Sequence, residues 1–299
     1  MLFCLLLGCL ISLLIIPLML LPSLSRSLPL PERHREQDFF VPPTRKSSVS
    51  RAGGVALAVA FVGVSLLICF LYPAAWTDQS RISLGILWTA LAMFAIGSWD
   101  DYRPISVGRR LLIQTLVSIA ACLQGVQIEP AGGPPFSGIF AHLGAWSGVL
   151  TVFWLVGLTN LFHRINSIIN GLAGCLGLVL MTLLAYSSAG AGAAFPALCA
   201  FGMAGALLGF LVYNLPPTRT CMGSGGAGLI GFLAGSFSLV HPDREVTMAA
   251  ALVLVLPALG LCLTFWPRAP KPSPSTSSGL GGSHRRATGF GTFRGGDRN

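Results

Sequence analysis

The chain has 299 residues, of which 53% are hydrophobic and only 10% charged. Soluble domains carry about 25% charged residues, so an ordinary soluble domain is excluded and an all-α, polytopic membrane helix bundle is expected, its backbone polar groups satisfied within helices. The formal net charge of +9 would suit a nucleic-acid partner, but the positions of the basic residues explain it without one.

Apolar runs predict about nine transmembrane helices, over residues 1–22, 53–72, 82–98, 111–126, 144–161, 168–187, 193–213, 229–240 (extendable through 225–227) and 247–266. No basic residue precedes the first run, so it reads as a retained helix rather than a cleaved signal peptide. Residues 1–266 form the transmembrane domain. Residues 267–299 are a basic Pro/Ser/Gly-rich tail with a disordered composition.

Alternating spans divide the loops between two sides. Seventeen of the 19 basic residues then fall on one side, and two, Arg81 and Arg244, on the other. The positive-inside rule places the N-terminus outside and the tail in the cytoplasm. The eight cysteines lie almost entirely in apolar runs without a C-x-x-C pattern, so they read as small buried side chains.

Every loop with unusual chemistry falls on the predicted cytoplasmic face. Asp100 and Asp101 are the only adjacent carboxylates among ten acidic residues. Anions at a membrane helix end need compensation. They suit Mg²⁺ with substrate phosphates or general-base work, or else a solvated helix end paired with Arg103 or Arg109. Arg45, Lys46 and Arg51 precede a helix opening on Gly53-Gly54, which suits a diphosphate or anionic lipid heads. The segment from Asn214 through Arg219 to Gly228 holds glycines that serve close ligand approach or helix packing, with packing favoured. Asn160, Asn166 and Asn170, with His163 and Arg164, can bind a sugar or uracil or cap a helix. Such a face suits a soluble cytoplasmic substrate meeting a lipid.

Together these stretches resemble the polyprenyl-phosphate N-acetylhexosamine-1-phosphate transferases of glycosyltransferase family 4. Ser50–Gly54 reads S-R-A-G-G beside that family's P-R-x-G-G. Gly97–Asp101, with Ser106, Arg110 and Gln114, follows its G-x-x-D-D and basic helix start. Thr159-Asn160 and Gly171-Leu172-Ala173-Gly174 flank the segment matching T-N-x-x-N-x-x-D-G-x-D-G-L-A-G. Tyr213–Gly231 follows F-N-x-P-P-A-R-x-F-M-G-D-x-G-S-x-x-x-G. The resemblance covers about residues 1–265.

The resemblance implies an inner-membrane enzyme moving a sugar-1-phosphate from a UDP-N-acetylhexosamine, such as UDP-N-acetylglucosamine, to undecaprenyl phosphate. It would prime O-antigen (lipopolysaccharide) or cell-wall polysaccharide synthesis, with Mg²⁺ as cofactor and UMP as product. Asp100 would orient or deprotonate the lipid phosphate beside Asp101, and both, with Ser224, fall at metal-ligand positions. Arg45, Lys46 and Arg51 would face phosphates. Asn160, Asn170, Asn214 and Arg219 would help hold the nucleotide sugar. Membrane lipid and a homodimer are the other partners admitted.

The chain departs from the family pattern in its acids. Asn166, Asn170 and Ser224 stand where the family has aspartates, Ser47 and Ser48 follow the basic pair where a His is usual, and the tail replaces the family's further helices. Weakened activity and an altered C-terminal end are therefore expected. The alternatives are a non-catalytic paralogue that binds lipid phosphate or nucleotide sugar, and a transporter. The plain outer loops count against the latter.

Overall fold

The computed structural model describes residues 1–20, 32–34, 48–50, 52–73, 80–127, 146–168, 171–190, 192–215 and 218–240. They form eight helices: α1 (Leu2–Leu20), α2 (Ala52–Leu71), α3 (Ser80–Tyr102), α4 (Val107–Leu123), α5 (Ser147–Ile168), α6 (Leu172–Gly190), α7 (Ala194–Asn214) and α8 (Gly223–Leu239). Six are long and apolar enough to cross a membrane; α4 and α8, with 17 residues each, are shorter than that measure requires. The predicted ninth helix and the tail lie outside the described residues. One short element was not expected: Glu32–His34 pairs antiparallel with Ser48–Ser50, Arg33 opposite Val49.

Helix α8 is the axis of the bundle. It packs against α2, α3, α5 and α6, and of its residues only Ser224, Ser238 and Leu239 are not buried. Its sequence explains this position. Six glycines and two alanines in 17 residues leave little side chain, so neighbouring backbones approach closely. A Cβ added to Gly231 would lie 2.8 Å from the Cα of Thr159, and one added to Gly225 would lie 3.0 Å from the Phe94 carbonyl oxygen. The glycines of 223–228 are therefore helical packing residues, and the loop after Asn214 ends at Met222, about one turn before the expected point.

A second glycine seam joins α1 to α7. A Cβ on Gly8 would strike the Gly202 carbonyl, and one on Gly205 would strike that of Leu5. Pro17 lies inside α1 and cannot donate to the Leu13 carbonyl four residues back. The Tyr213 hydroxyl of α7 donates to that carbonyl instead, at 3.4 Å. In an apolar medium such a freed acceptor needs a partner from elsewhere.

Two helices run past their apolar runs at the end that carries the acids. α3 continues through Asp100 and Asp101 to Tyr102, and α5 continues through Asn160, His163 and Asn166 to Ile168. Asp100 and Asp101 thus stand in a last helical turn, and Arg109 and Arg110 in the first turn of α4, not in a loop. Backbone hydrogen bonding carries a helix past the point where hydropathy stops.

Candidate functional site

Seven helix ends meet at one end of the bundle: the starts of α2, α4, α6 and α8 and the finishes of α3, α5 and α7. Residue-to-residue bonds link most of them, and they gather most of the expected site residues that the structure describes.

The acidic pair sits where helix geometry disfavours it. A carboxylate in a C-terminal turn faces the negative end of the helix dipole, at a cost of about 0.3–1 kcal/mol. Successive helical residues also point about 100° apart. Each acid therefore meets a different neighbour. Asp100 faces α4: its Oδ1 accepts from the Ile105 amide at 2.7 Å, and its Oδ2 accepts from Arg110 Nη1 at 3.2 Å. Both side chains of this ion pair are only 13% exposed. Asp101 faces α8: its Oδ2 accepts from the Ser224 amide at 2.8 Å. That amide lies at the positive N-terminal end of α8, where a carboxylate is favoured. One acid is thus compensated by a guanidinium and the other by a helix terminus. The ion pair of Asp100 is with Arg110 rather than with Arg103 or Arg109. Both are exposed, and Arg109 Nε donates to Ser106 Oγ at 3.1 Å.

α5 completes this corner. Asn166 Nδ2 donates to the Gly223 carbonyl at 3.0 Å, so Asn166 and Asp101 grip consecutive residues of α8. Gly223 has φ +69°, a left-handed conformation that suits glycine and turns the chain into α8. Deeper in the bundle, Asn160 Nδ2 donates to Gln114 Oε1 and to the Val156 carbonyl, each at 2.8 Å. Asn160 and Gln114 are both buried, so Asn160 joins α5 to α4 rather than lining the surface. His163, one turn nearer the acids, is buried; a Cβ on Gly228 would lie 3.2 Å from its Nε2.

On the far side of α8, Asn214 Nδ2 donates to the Thr220 carbonyl at 2.9 Å, and Thr220 Oγ1 accepts from the Gly53 amide at 3.1 Å. The Asn214 Oδ1 atom is buried without a partner among the described residues. It lies 3.0 Å from where a Cβ on Gly171 would stand. The Gly53-Gly54 opening of α2 is therefore a packing contact: one amide is taken by Thr220, and a Cβ on Gly54 would strike the Met222 carbonyl. Arg219 is exposed, and its backbone amide donates to the Tyr213 carbonyl at 2.9 Å. Arg45, Lys46, Arg51 and Asn170 lie outside the described residues.

Among the described residues no three His, Cys, Asp or Glu side chains gather as a metal centre. The residues that meet at the start of α8, Asp101, half-buried Ser224 and Asn166, carry hard oxygens of low charge. That set fits a Mg²⁺ ion bound chiefly through substrate phosphates and water; it does not fit a closed protein cage. The structure also brings Arg110, Gln114, Asn166, His163 and Thr220 to this end of the bundle; Asn166 and His163 were raised by the sequence as binding or capping residues, Arg110 and Gln114 only as motif positions, and Thr220 not at all. The four-residue spacing of Arg110 and Gln114, and the three-residue steps Asn160–His163–Asn166, were the signals available.

The glycosyl transferase family 4 model matches residues 83–241, a span that holds both acids and all five of these residues. A probable undecaprenyl-phosphate N-acetylglucosaminyl 1-phosphate transferase of Bacillus subtilis is 27% identical over 208 residues, 69% of this chain and 55% of that protein. The phospho-N-acetylmuramoyl-pentapeptide-transferase of Streptococcus mutans is 26% identical over 230 residues, covering 73% and 66%. That of Streptococcus suis is 30% identical over 212 residues, covering 66% and 61%. The matches thus span less than two thirds of each relative's length. With a family match over more than half of its residues, the chain belongs to glycosyl transferase family 4.

Proposed function

We propose that this protein transfers a sugar-1-phosphate from a UDP-N-acetylhexosamine to undecaprenyl phosphate in the bacterial inner membrane, initiating a cell-surface polysaccharide. The observation that carries the reading is the corner formed by Asp100, Asp101 and the first turn of α8, set within the family match. A lipid phosphate oxygen would attack the β-phosphorus of the nucleotide sugar, and the bond to UMP would break. Asp100 would orient the attacking phosphate and take its proton when one is present. A Mg²⁺ ion at Asp101, Ser224 and Asn166 would supply positive charge to the phosphate oxygens. Asn214, Arg219 and Asn170, with Arg45, Lys46 and Arg51, are the proposed holders of the nucleotide sugar and its phosphates. Asn160, buried against Gln114, would act through the α4–α5 contact.

Slow turnover belongs to this reading. Neutral side chains at 166, 170 and 224 stand where the family pattern has aspartates, and losing a charged metal ligand costs several kcal/mol of transition-state stabilisation, or several powers of ten in rate. The same feature favours a second reading, a non-catalytic paralogue that binds one substrate. The test is UMP release by purified protein with undecaprenyl phosphate, Mg²⁺ and a panel of UDP-sugars. Measurable release from the wild type supports the transferase. Release only after Asn170→Asp with Ser224→Asp supports the paralogue, and release from neither overturns the transferase reading.

A further inference from the structure

Asp100 is held at both carboxylate oxygens, and the two holds are of different kinds. The Ile105 amide is part of the turn between α3 and α4, present whatever the side chains are. Arg110 is a side chain in the first turn of α4, reaching Oδ2 through Nη1 alone. Its Nε is buried with no acceptor among the described residues. The pair is thus single-pronged, and nothing but Asp100 is seen to fix the guanidinium.

The helix that carries Arg110 is itself held one turn further along. Gln114, 1% exposed, accepts from Asn160 of α5 at 2.8 Å. This buried amide pair sets the rotation of α4 against α5, and Arg110, four residues earlier, shares the Gln114 face. The side facing α8 is closed by His163 against Gly228. Asn160 thus holds Gln114, and the face of α4 that Gln114 shares with Arg110 is the one from which Arg110 reaches Asp100.

We propose that Arg110 is a positioning residue of the transfer reaction, which rests on the transferase reading above: its Nη1 bond to Oδ2, aimed by the Gln114–Asn160 pair, turns the Asp100 carboxylate toward the lipid phosphate. Arg110 does not touch substrate in this arrangement, so its loss leaves substrate affinity largely intact and misplaces the reacting group. Misplacing such a group by about 1 Å lowers turnover about 100-fold.

The experiment compares wild type, Arg110→Gln, Arg110→Lys, Asp100→Asn and the double variant Asp100→Asn/Arg110→Gln, all as full chains in detergent with undecaprenyl phosphate and the active UDP-sugar. Arg110→Gln should lower kcat about 100-fold with KM for the UDP-sugar changed less than about 3-fold. Arg110→Lys, which keeps one cationic donor, should recover at least about a tenth of wild-type kcat. The double variant leaves no unpaired charge and should match Asp100→Asn alone, even where Arg110→Gln does not fold. Unchanged kcat in Arg110→Gln overturns the proposal and leaves the transferase reading standing. So does a rise in KM at constant kcat, because Arg110 would then be holding substrate, and so does a double variant with additive losses. A wild type that transfers no sugar phosphate from any UDP-sugar overturns both.

Discussion

Asp101 and Ser224 lie 123 residues apart in sequence, yet the Ser224 amide donates to Asp101 Oδ2 at 2.8 Å. This bond caps the first turn of one helix with a carboxylate from the last turn of another. Capping acceptors at helix starts contribute about 1 kcal/mol. Asp101→Ala should therefore lower the unfolding free energy by about 1 kcal/mol, while Asp101→Asn, which keeps an acceptor oxygen, should lose less than half of that. Thermal unfolding in detergent distinguishes them. Equal losses for the two variants would mean that the bond does not stabilise the start of α8.

The same corner is set by a close approach of backbones. A Cβ on Gly97 would lie 2.5 Å from the Ser224 carbonyl oxygen and 2.7 Å from the Cα of Gly225. Neither neighbour is the flexible end of a side chain, so α3 and α8 must move apart. Gly97→Ala should cost about 1–3 kcal/mol and reduce any transfer activity, because Asp101 moves with its helix. Gly108→Ala is the control. A Cβ there meets nothing within 4 Å, and the change removes a helical glycine, so a gain of up to about 1 kcal/mol is expected. A Gly97→Ala protein that melts with the wild type would refute the close packing.

Some of this was legible in the residues alone. Apolar runs located the helices, because a spanning segment must be apolar over nearly its whole length. The Asp100–Asp101 pair stood out because acids are rare here, and the question of what compensates it was the right one. Its answer was not legible. Arg110 and the start of α8 reach the pair through tertiary contacts, and Arg103 and Arg109 are closer to it in sequence. In the 223–228 stretch the packing role of the glycines was legible but the start of the helix was not: glycine has poor helix propensity, and what makes the stretch helical is burial among α2, α3 and α5, which local sequence does not carry. Asn160 shows the same limit. It lies inside α5 rather than at its end, where its Nδ2 donates to Gln114 and Val156 while its Oδ1 is buried without a partner among the described residues.

Pro17 and Tyr213 give a prediction independent of the site. The proline leaves the Leu13 carbonyl without its helical donor, and the Tyr213 hydroxyl reaches it at 3.4 Å. The bond is long, so its contribution belongs at the low end of the usual range, about 0.5 kcal/mol. Tyr213→Phe should cost about that much. In a Pro17→Ala background the α1 backbone supplies its own donor, and Tyr213→Phe should then cost close to nothing. A double-mutant cycle on melting free energies measures the difference. The same Tyr213→Phe cost in both backgrounds would show that the hydroxyl does not serve the proline-freed carbonyl.

The most informative substitution for the metal question is Ser224→Asp. Its backbone amide would still meet Asp101, so the new carboxylate would stand beside the existing one. Two unit charges about 5 Å apart repel by about 3 kcal/mol at an effective dielectric of about 20. Without a divalent cation the variant should therefore be less stable than wild type, by up to that amount. With Mg²⁺ the pair becomes a better ligand set, since hard cations favour charged oxygens, and occupancy at about 100 times Kd restores about 2.7 kcal/mol. The expected signature is a melting temperature low in EDTA and raised by Mg²⁺, with a smaller rise for wild type and none for Asp101→Ala/Ser224→Asp. If Mg²⁺ leaves the Ser224→Asp melt unchanged, Asp101 and position 224 do not share a cation, and magnesium acts, if at all, through the phosphates alone.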